Sequence, residues 1–210
     1  MAARHWLITC FEPFAGRSEN NSKSVADEIA RVQFKNAPGS EIPFVFHFGV
    51  LPVEYDRCFE VLNNEVSNLH TKGIALEGIL SLGEGAEEFK LETQANNLDD
   101  LPELADNRGV MRKEQLIFDD LPEDAAIPLR FPFAAFSRIR TSQNPGNFVC
   151  NHLCAKMGRK TQEEPNGPVF GFIHVPKIGS GGIFTPDICA AVILNGFKSL
   201  GASSTNQHPG

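Results

Sequence analysis

The feature that most limits what this chain can become is an alternation of apolar runs with segments of helical period. HWLITCF (5–11) is apolar and ends at the turn EPFAG; NSKSVADEIARVQF follows, opening on Asn and Ser capping candidates and carrying Val25, Ile29 and Val32 at helical spacing. IPFVFHFGVLPV (42–53) reads as a second strand, and EYDRCFEVLNNEVSNLH repeats Phe59, Leu62, Val66 and Leu69 along one helical face. LEGILSLGEG (76–85) predicts a third strand entering a glycine-bearing loop, and PVFGFIHVPKIGSGG (168–182) a buried strand before a glycine-rich turn. PDICAAVILNGFKSLG predicts the last helix, with Pro186 near its start and Gly201 near its end. Such alternation specifies an α/β fold: a single-domain three-layer α/β/α sandwich around a mostly parallel twisted sheet. Ligands of such sheets sit at the carboxyl ends of the strands.

At 210 residues the chain suits one substantial core, assigned here to 1–201, with ASSTNQHPG (202–210) as a polar C-terminal tail. The stretch 98–130 breaks the alternation with several prolines and acids and reads as an irregular excursion or small hairpin. No apolar run approaches the roughly 20 residues of a membrane span, and the start reads as a strand rather than a secretory signal, so the expectation is a cytosolic protein with no membrane contact. A net charge of -7, with acids and bases interspersed, lacks the concentrated basic face that nucleic acid requires. Five cysteines, Cys10, Cys58, Cys150, Cys154 and Cys189, are odd in number and irregular in spacing, which favours free thiols in a reducing compartment.

Chemistry concentrates in SQNPGNFVCNHLC (142–154). The turn made by Asn144, Pro145 and Gly146 leads into a segment of helical composition, so Cys150 falls at or near a helix N-terminus, where unpaired N–H groups and the helix dipole favour a thiolate. A buried structural cysteine remains the plain alternative. A metal site is disfavoured: Cys150 and Cys154 share a helical face, His152 points away from it, and no second Cys/His pair completes a tetrahedron. A thiol nucleophile needs a base, and the base an orienting acceptor. Of the six histidines, His5, His70 and His208 are in polar or terminal surroundings and His47 lies within an apolar strand; His174, in GFIHVP, stands at a strand end, although the residues alone favour a core histidine bonded to backbone. Glu92, Glu84, Glu87 and Glu88 are all candidate carboxylates, and periodicity does not choose among them.

In colinear order, LITCFEPFAGRSENNS, LPVEYDRC, LSLGEG, ETQANNLDD, GNFVCNHL and GFIHVP resemble the successive motifs of the cytosolic, first type of pyroglutamyl peptidase, also called pyrrolidone-carboxylate peptidase, over nearly the whole chain. The resemblance implies Cys150 as nucleophile, His174 as general base and then acid, and Glu92 as the carboxylate that orients the imidazole. The implied substrate is a peptide with a blocked N-terminus, cut after its pyroglutamyl residue, with no metal or organic cofactor, and with homo-oligomeric assembly open. A pyroglutamyl ring is small, flat and largely apolar, so Phe11 and Phe14 are candidate pocket walls; the resemblance adds Phe148, Val149 and Glu84.

Three departures stand out. Where the family carries Gly-Gln-Ala-Gly-Gly-Arg, this chain has GEGAEE, so the usual lactam-holding glutamine becomes Glu84. An ionised glutamate accepts but does not donate, and burying it is costly unless it is paired or protonated. After Asp99 and Asp100 the family usually has an arginine supporting the oxyanion; here Leu101 and Pro102 stand, leaving Arg108 or another group to substitute. The segment RFPFAAFSRIRTS before the nucleophile motif is shortened and contains Pro132, a change expected to affect subunit contacts more than chemistry. Two other readings follow: a thiol hydrolase of another cyclic or blocked amide, and an inactive homologue that binds modified peptide termini. The loop GSGG (179–182) lacks the Lys-Ser/Thr ending of a phosphate loop and reads as a turn.

Overall fold

A computed structural model describes residues 3–35, 42–85, 88–178 and 183–205. In chain order the elements are β1 (Arg4–Phe11), α1 (Asn21–Lys35), β2 (Phe44–Leu51), α2 (Tyr55–Thr71), β3 (Leu76–Glu84), β4 (Lys90–Glu92), β5 (Gln94–Asn96), β6 (Leu98–Asp99), β7 (Gln115–Leu116), β8 (Ala126–Pro128), β9 (Arg140–Ser142), α3 (Val149–Glu163), β10 (Val169–Val175) and α4 (Pro186–Thr205), with one 3-10 turn at Phe133–Phe136. A six-stranded sheet has the order β2-β1-β3-β10-β4-β9. β2, β1, β3 and β10 are mutually parallel; β4 runs antiparallel to β10, and β9 lies parallel to β4 at the edge.

Alternation along the strands sorts the core into two layers. Trp6, Ile8, Leu80, Leu82 and Ile173 pack with Val25 and Ile29 of α1 and Cys189, Ile193 and Phe197 of α4. Leu7, Phe11, Ile79, Phe170 and Phe172 face the other way, onto Cys58 and Leu62 of α2 and Leu153 and Met157 of α3. The predicted three-layer α/β/α sandwich is therefore the observed one. All five cysteines are free thiols, and no helix among the described residues is long and apolar enough to cross a membrane.

The irregular stretch resolves into two small antiparallel ladders, β5 with β8 and β6 with β7. Asn97 roots them: its side chain accepts the Phe118 N–H at 2.8 Å and donates to the carbonyls of Phe118, Leu121 and Pro122 at 2.9 to 3.1 Å. Two other elements differ from expectation. Helix α4 continues past Gly201 to Thr205, because that glycine serves close packing rather than termination: a Cβ there would sit 2.7 Å from Pro43 Cγ. Strand β10 ends at Val175, where Pro176 lacks the N–H to continue the ladder. The GSGG turn (179–182) lies outside the described residues.

Phe197 joins one layer together: its ring meets Trp6, Phe44, Phe46 and Phe136 at centroid distances of 5.0, 5.6, 4.7 and 5.3 Å. Phe197→Ala is expected to cost about 3–5 kcal/mol through lost burial and the cavity left behind, and Phe197→Leu roughly 1.5 kcal/mol or less. Urea denaturation followed by circular dichroism measures both, and equal losses would contradict this packing account.

Candidate active site

Cys150 is the second residue of α3, and that helix starts without a side-chain cap; extended Phe148 occupies the N-cap. The N–H groups of the first turn are thus left for another acceptor, and the positive end of the helix dipole favours negative charge on the sulfur. Two polar clamps fix this turn. Asn144 Oδ1 accepts the Gly146 N–H at 3.0 Å, closing the turn that precedes the helix. Asn151 accepts the Asn96 N–H at 2.9 Å and donates to the carbonyls of Asn96 and Leu98 at 3.1 and 2.9 Å, tying the helix start to β5 and β6.

His174 comes from the end of β10, in register with Gly83 on β3 and Lys90 on β4. Gly83 is what lets the thiol approach: a Cβ there would stand 2.6 Å from the Phe172 ring and 3.1 Å from Cys150 Sγ. Cys150 and His174 line the same cavity and interact electrostatically, and His174 Nδ1 meets Glu92 Oε1 at 2.9 Å. Glu92 is completely buried on β4, and its Oε2 has no hydrogen-bond partner among the described residues. Burial opposes charge on the imidazole, but hydrogen bonds to Cys150 and Glu92 outweigh it and raise the His174 pKa to about 9. A thiol, an imidazole and a carboxylate thus stand together at one cavity, the imidazole bound through Nδ1 to the acid, which is the grouping that proton transfer needs.

The thiol and imidazole open onto a cavity of about 190 Å³ lined by Phe11, Phe14, Asn20, Val53, Glu84, Leu104, Pro145, Phe148, Val149, Cys150 and His174. Phe11, Phe14, Glu84, Phe148 and Val149, singled out from the sequence, all line it; Glu92 stands behind His174. Phe14 and Phe148 face one another with ring centroids 6.1 Å apart. The polar wall is Glu84, whose side chain is 4% exposed. Its Oε1 accepts from Arg17 Nη1 at 2.5 Å, and its Oε2 accepts the N–H of Asn21 at the start of α1 at 2.9 Å. The pairing that a buried carboxylate requires is therefore present. Arg17 in turn lies over the Phe14 ring, 4.6 Å from its centroid.

A second polar cluster supports the nucleophile turn from behind. His152 Nδ1 lies 2.7 Å from Asp99 Oδ2 and its Nε2 lies 3.1 Å from Asp56 Oδ1. Arg112 donates to both carboxylates at 2.8 Å and stacks 4.2 Å over Tyr55. The hydrogen bond with His152, reinforced by Arg112, holds the Asp56 carboxyl well below the usual carboxylate range despite its desolvation. Neither Arg112 nor Arg108 lines the cavity; Arg108 is 70% exposed, with Glu54 at 3.9 Å. Arg108 therefore does not fill the place of the absent arginine, and the backbone N–H groups of the α3 start are the donors nearest in sequence to the sulfur. The segment with Pro132 forms only the 3-10 turn Phe133–Phe136 before β9.

Arg17, Asn20, Val53, Leu104 and Pro145 were not singled out as site residues from the sequence. Arg17 and Asn20 carry a readable signal, lying in the polar loop after the first strand, whereas Leu104 arrives from the irregular excursion with no pattern to mark it.

The sequence profile described as pyroglutamyl peptidase matches residues 4–200. The chain is 28% identical to the pyrrolidone-carboxylate peptidase of Staphylococcus haemolyticus over 185 residues, covering 82% of this chain and 78% of that one. Its fold resembles the pyrrolidone carboxyl peptidase of Thermus thermophilus, with a TM-score of 0.70, 26% identity, and coverage of 92% of this chain and 99% of that one. The corresponding structure from Thermococcus litoralis gives a TM-score of 0.76 at 23% identity, covering 97% and 96%. With the profile spanning nearly the whole chain and the fold shared end to end, this protein belongs to the pyroglutamyl peptidase family.

Proposed function

We propose that the protein is a cysteine exopeptidase that hydrolyses the amide bond after an N-terminal pyroglutamyl residue. The observation that carries this reading is the thiol at a helix start, beside an imidazole backed by a buried carboxylate, opening onto an aromatic cavity. In the reaction, His174 takes the thiol proton and Cys150 Sγ bonds to the scissile carbonyl carbon, moving the π pair onto oxygen. The N–H groups at the start of α3, that of Cys150 included, stabilise this oxyanion. Collapse breaks the C–N bond as His174 returns the proton to the departing amine, leaving a pyroglutamyl thioester. Water then attacks the thioester with His174 accepting its proton, and C–S cleavage releases pyroglutamate and the thiol. Glu92 fixes the imidazole orientation and stabilises its charged form. In an assay of amine release from a pyroglutamyl reporter amide, Cys150→Ala is expected to lower kcat by at least about 10³-fold, and thiol-independent turnover would defeat the assignment.

The cavity's size supports a small ring, since about 190 Å³ is well below the roughly 300–1,000 Å³ of pockets for drug-sized ligands. A lactam presents one N–H and one carbonyl. Glu84, which lines the cavity, supplies an acceptor for the former, and Arg17, held on that carboxylate from outside the lining, keeps it paired. Arg17→Ala is expected to raise KM for pyroglutamyl amides about 10-fold by leaving the buried Glu84 carboxylate less well paired. Adding Glu84→Gln should recover most of that loss, because a carboxamide both donates and accepts; steady-state kinetics of the single and double variants test the cycle.

The raised His174 pKa sets the pH response. The alkaline limb of kcat/KM should fall through about pH 9, where the imidazolium that protonates the leaving amine is lost. Glu92→Gln, which removes the charge favouring the imidazolium, should move that limb to lower pH. Linkage gives the same sign for stability: because the folded pKa exceeds the ordinary 6.5, the contribution is fully present below about pH 6.5 and disappears as pH rises through about 9. Unfolding midpoints of wild type and His174→Gln across that range check the second statement.

A further inference from the structure

A second cavity, about 480 Å³, lies along β4 and β9 and takes no part in the reaction described above. Its lining includes Lys90, Thr93, Arg140 and Ser142, so it is polar where the first cavity is aromatic. The two are related by strand register. His174 on β10 is opposite Lys90 on β4, and Lys90 is opposite Arg140 on β9. Residues in register project from the same face of a sheet, so these three side chains form one cross-strand row. With strands about 4.8 Å apart, the row runs roughly 10 Å from the imidazole to Arg140, and β9 is the last strand of the sheet.

The direction of this row matches the direction of departure. The aromatic cavity draws on β1, β3 and the start of α3, whereas β4 and β9 lie on the opposite side of β10. A substrate with its ring in the first cavity has its leaving nitrogen at His174, so the chain beyond that nitrogen continues over β4 toward β9. An extended peptide advances about 3.3 Å per residue, which brings its second and third residues to Lys90 and Arg140. Both are cationic. Lys90 forms no ion pair among the described residues, and Arg140 holds Glu88 at 3.0 Å in a pair whose side chains are 75% and 47% exposed. Such an exposed pair contributes little and exchanges readily for another anion.

Building on the peptidase reading, we propose that the β4–β9 groove is the subsite for the departing peptide, and that Lys90 and Arg140 there bind a carboxylate on its second or third residue. That carboxylate is either the free C-terminus of a short peptide or an acidic side chain in a longer one. The preferred substrates are accordingly short or acidic pyroglutamyl peptides.

Competition kinetics at low ionic strength test this with three substrates: pyroglutamyl-Ala-Ala-Ala as the free acid, the same peptide amidated, and pyroglutamyl-Ala-Asp-Ala amidated. The free acid, the aspartyl peptide or both should exceed the amidated alanine peptide in kcat/KM by about 3–10-fold, through KM, with the advantage shrinking as salt rises. Which of the two gains it identifies the source of the carboxylate. In Lys90→Ala/Arg140→Ala the ratio should fall to about one, and in Lys90→Glu/Arg140→Glu below one; reading ratios within each variant cancels any general loss of activity. Equal kcat/KM for all three peptides in the wild type, or a preference that survives the double variant, overturns the subsite while leaving the peptidase reading intact. Failure of the wild type to turn over even a pyroglutamyl reporter amide in a Cys150-dependent manner overturns both.

Discussion

The buried hydrogen bond between His174 and Glu92 governs the arrangement of everything around it. It crosses from β10 to β4, the one antiparallel junction in the six-stranded sheet. A carboxylate with no exposure needs compensation, and the imidazole supplies it at a single oxygen while the other oxygen has no partner among the described residues. The imidazole is thereby fixed through Nδ1 at the cavity that Cys150 also lines. Gly83 on the opposite flank of β10 clears the space that the sulfur occupies. Short β4 thus carries the inner end of the proton path, and its packing between β10 and β9 keeps that end fixed.

Polar support is distributed differently in front of the nucleophile and behind it. In front, Glu84 serves two structural partners at once, Arg17 and the start of α1, so the cavity wall and the helix that follows the first loop are positioned by the same carboxylate. Behind, Asp99, Asp56, Arg112 and His152 interlock three separate segments beneath Tyr55 and Phe148. His152 lies two residues along α3 from Cys150, and with both its ring nitrogens engaged it restrains the helix against rotation.

Much of this was legible from the amino acids. Strands β1, β2, β3 and β10 and the helices between them follow from apolar period, and Cys150 at a helix start follows from its turn residues and composition. The union of Cys150, His174 and Glu92 came from colinear motifs rather than from period, because nothing local brings residues so distant in sequence together. Strands β4 and β9 escaped notice because three residues are too few to show alternation. The doubt attached to Glu84 arose from reading it alone: its partner Arg17 lies on another loop, and an ion pair between distant segments leaves no mark on either one. Gly201 misled in the opposite sense, as a residue usual at helix ends was being used for contact with Pro43.

The rooting of the irregular stretch at Asn97 and Asn151 has an evolutionary consequence. Because both side chains satisfy backbone groups at the base of the two small ladders, the stretch is anchored where it leaves the sheet, and the residues it returns to the site, Leu104 at the cavity and Arg112 against Asp99, are positioned by that base. Selection should therefore act on the two asparagines through what they hold in place, and bear least on the exposed tips of the two ladders, such as Glu123 and Asp124.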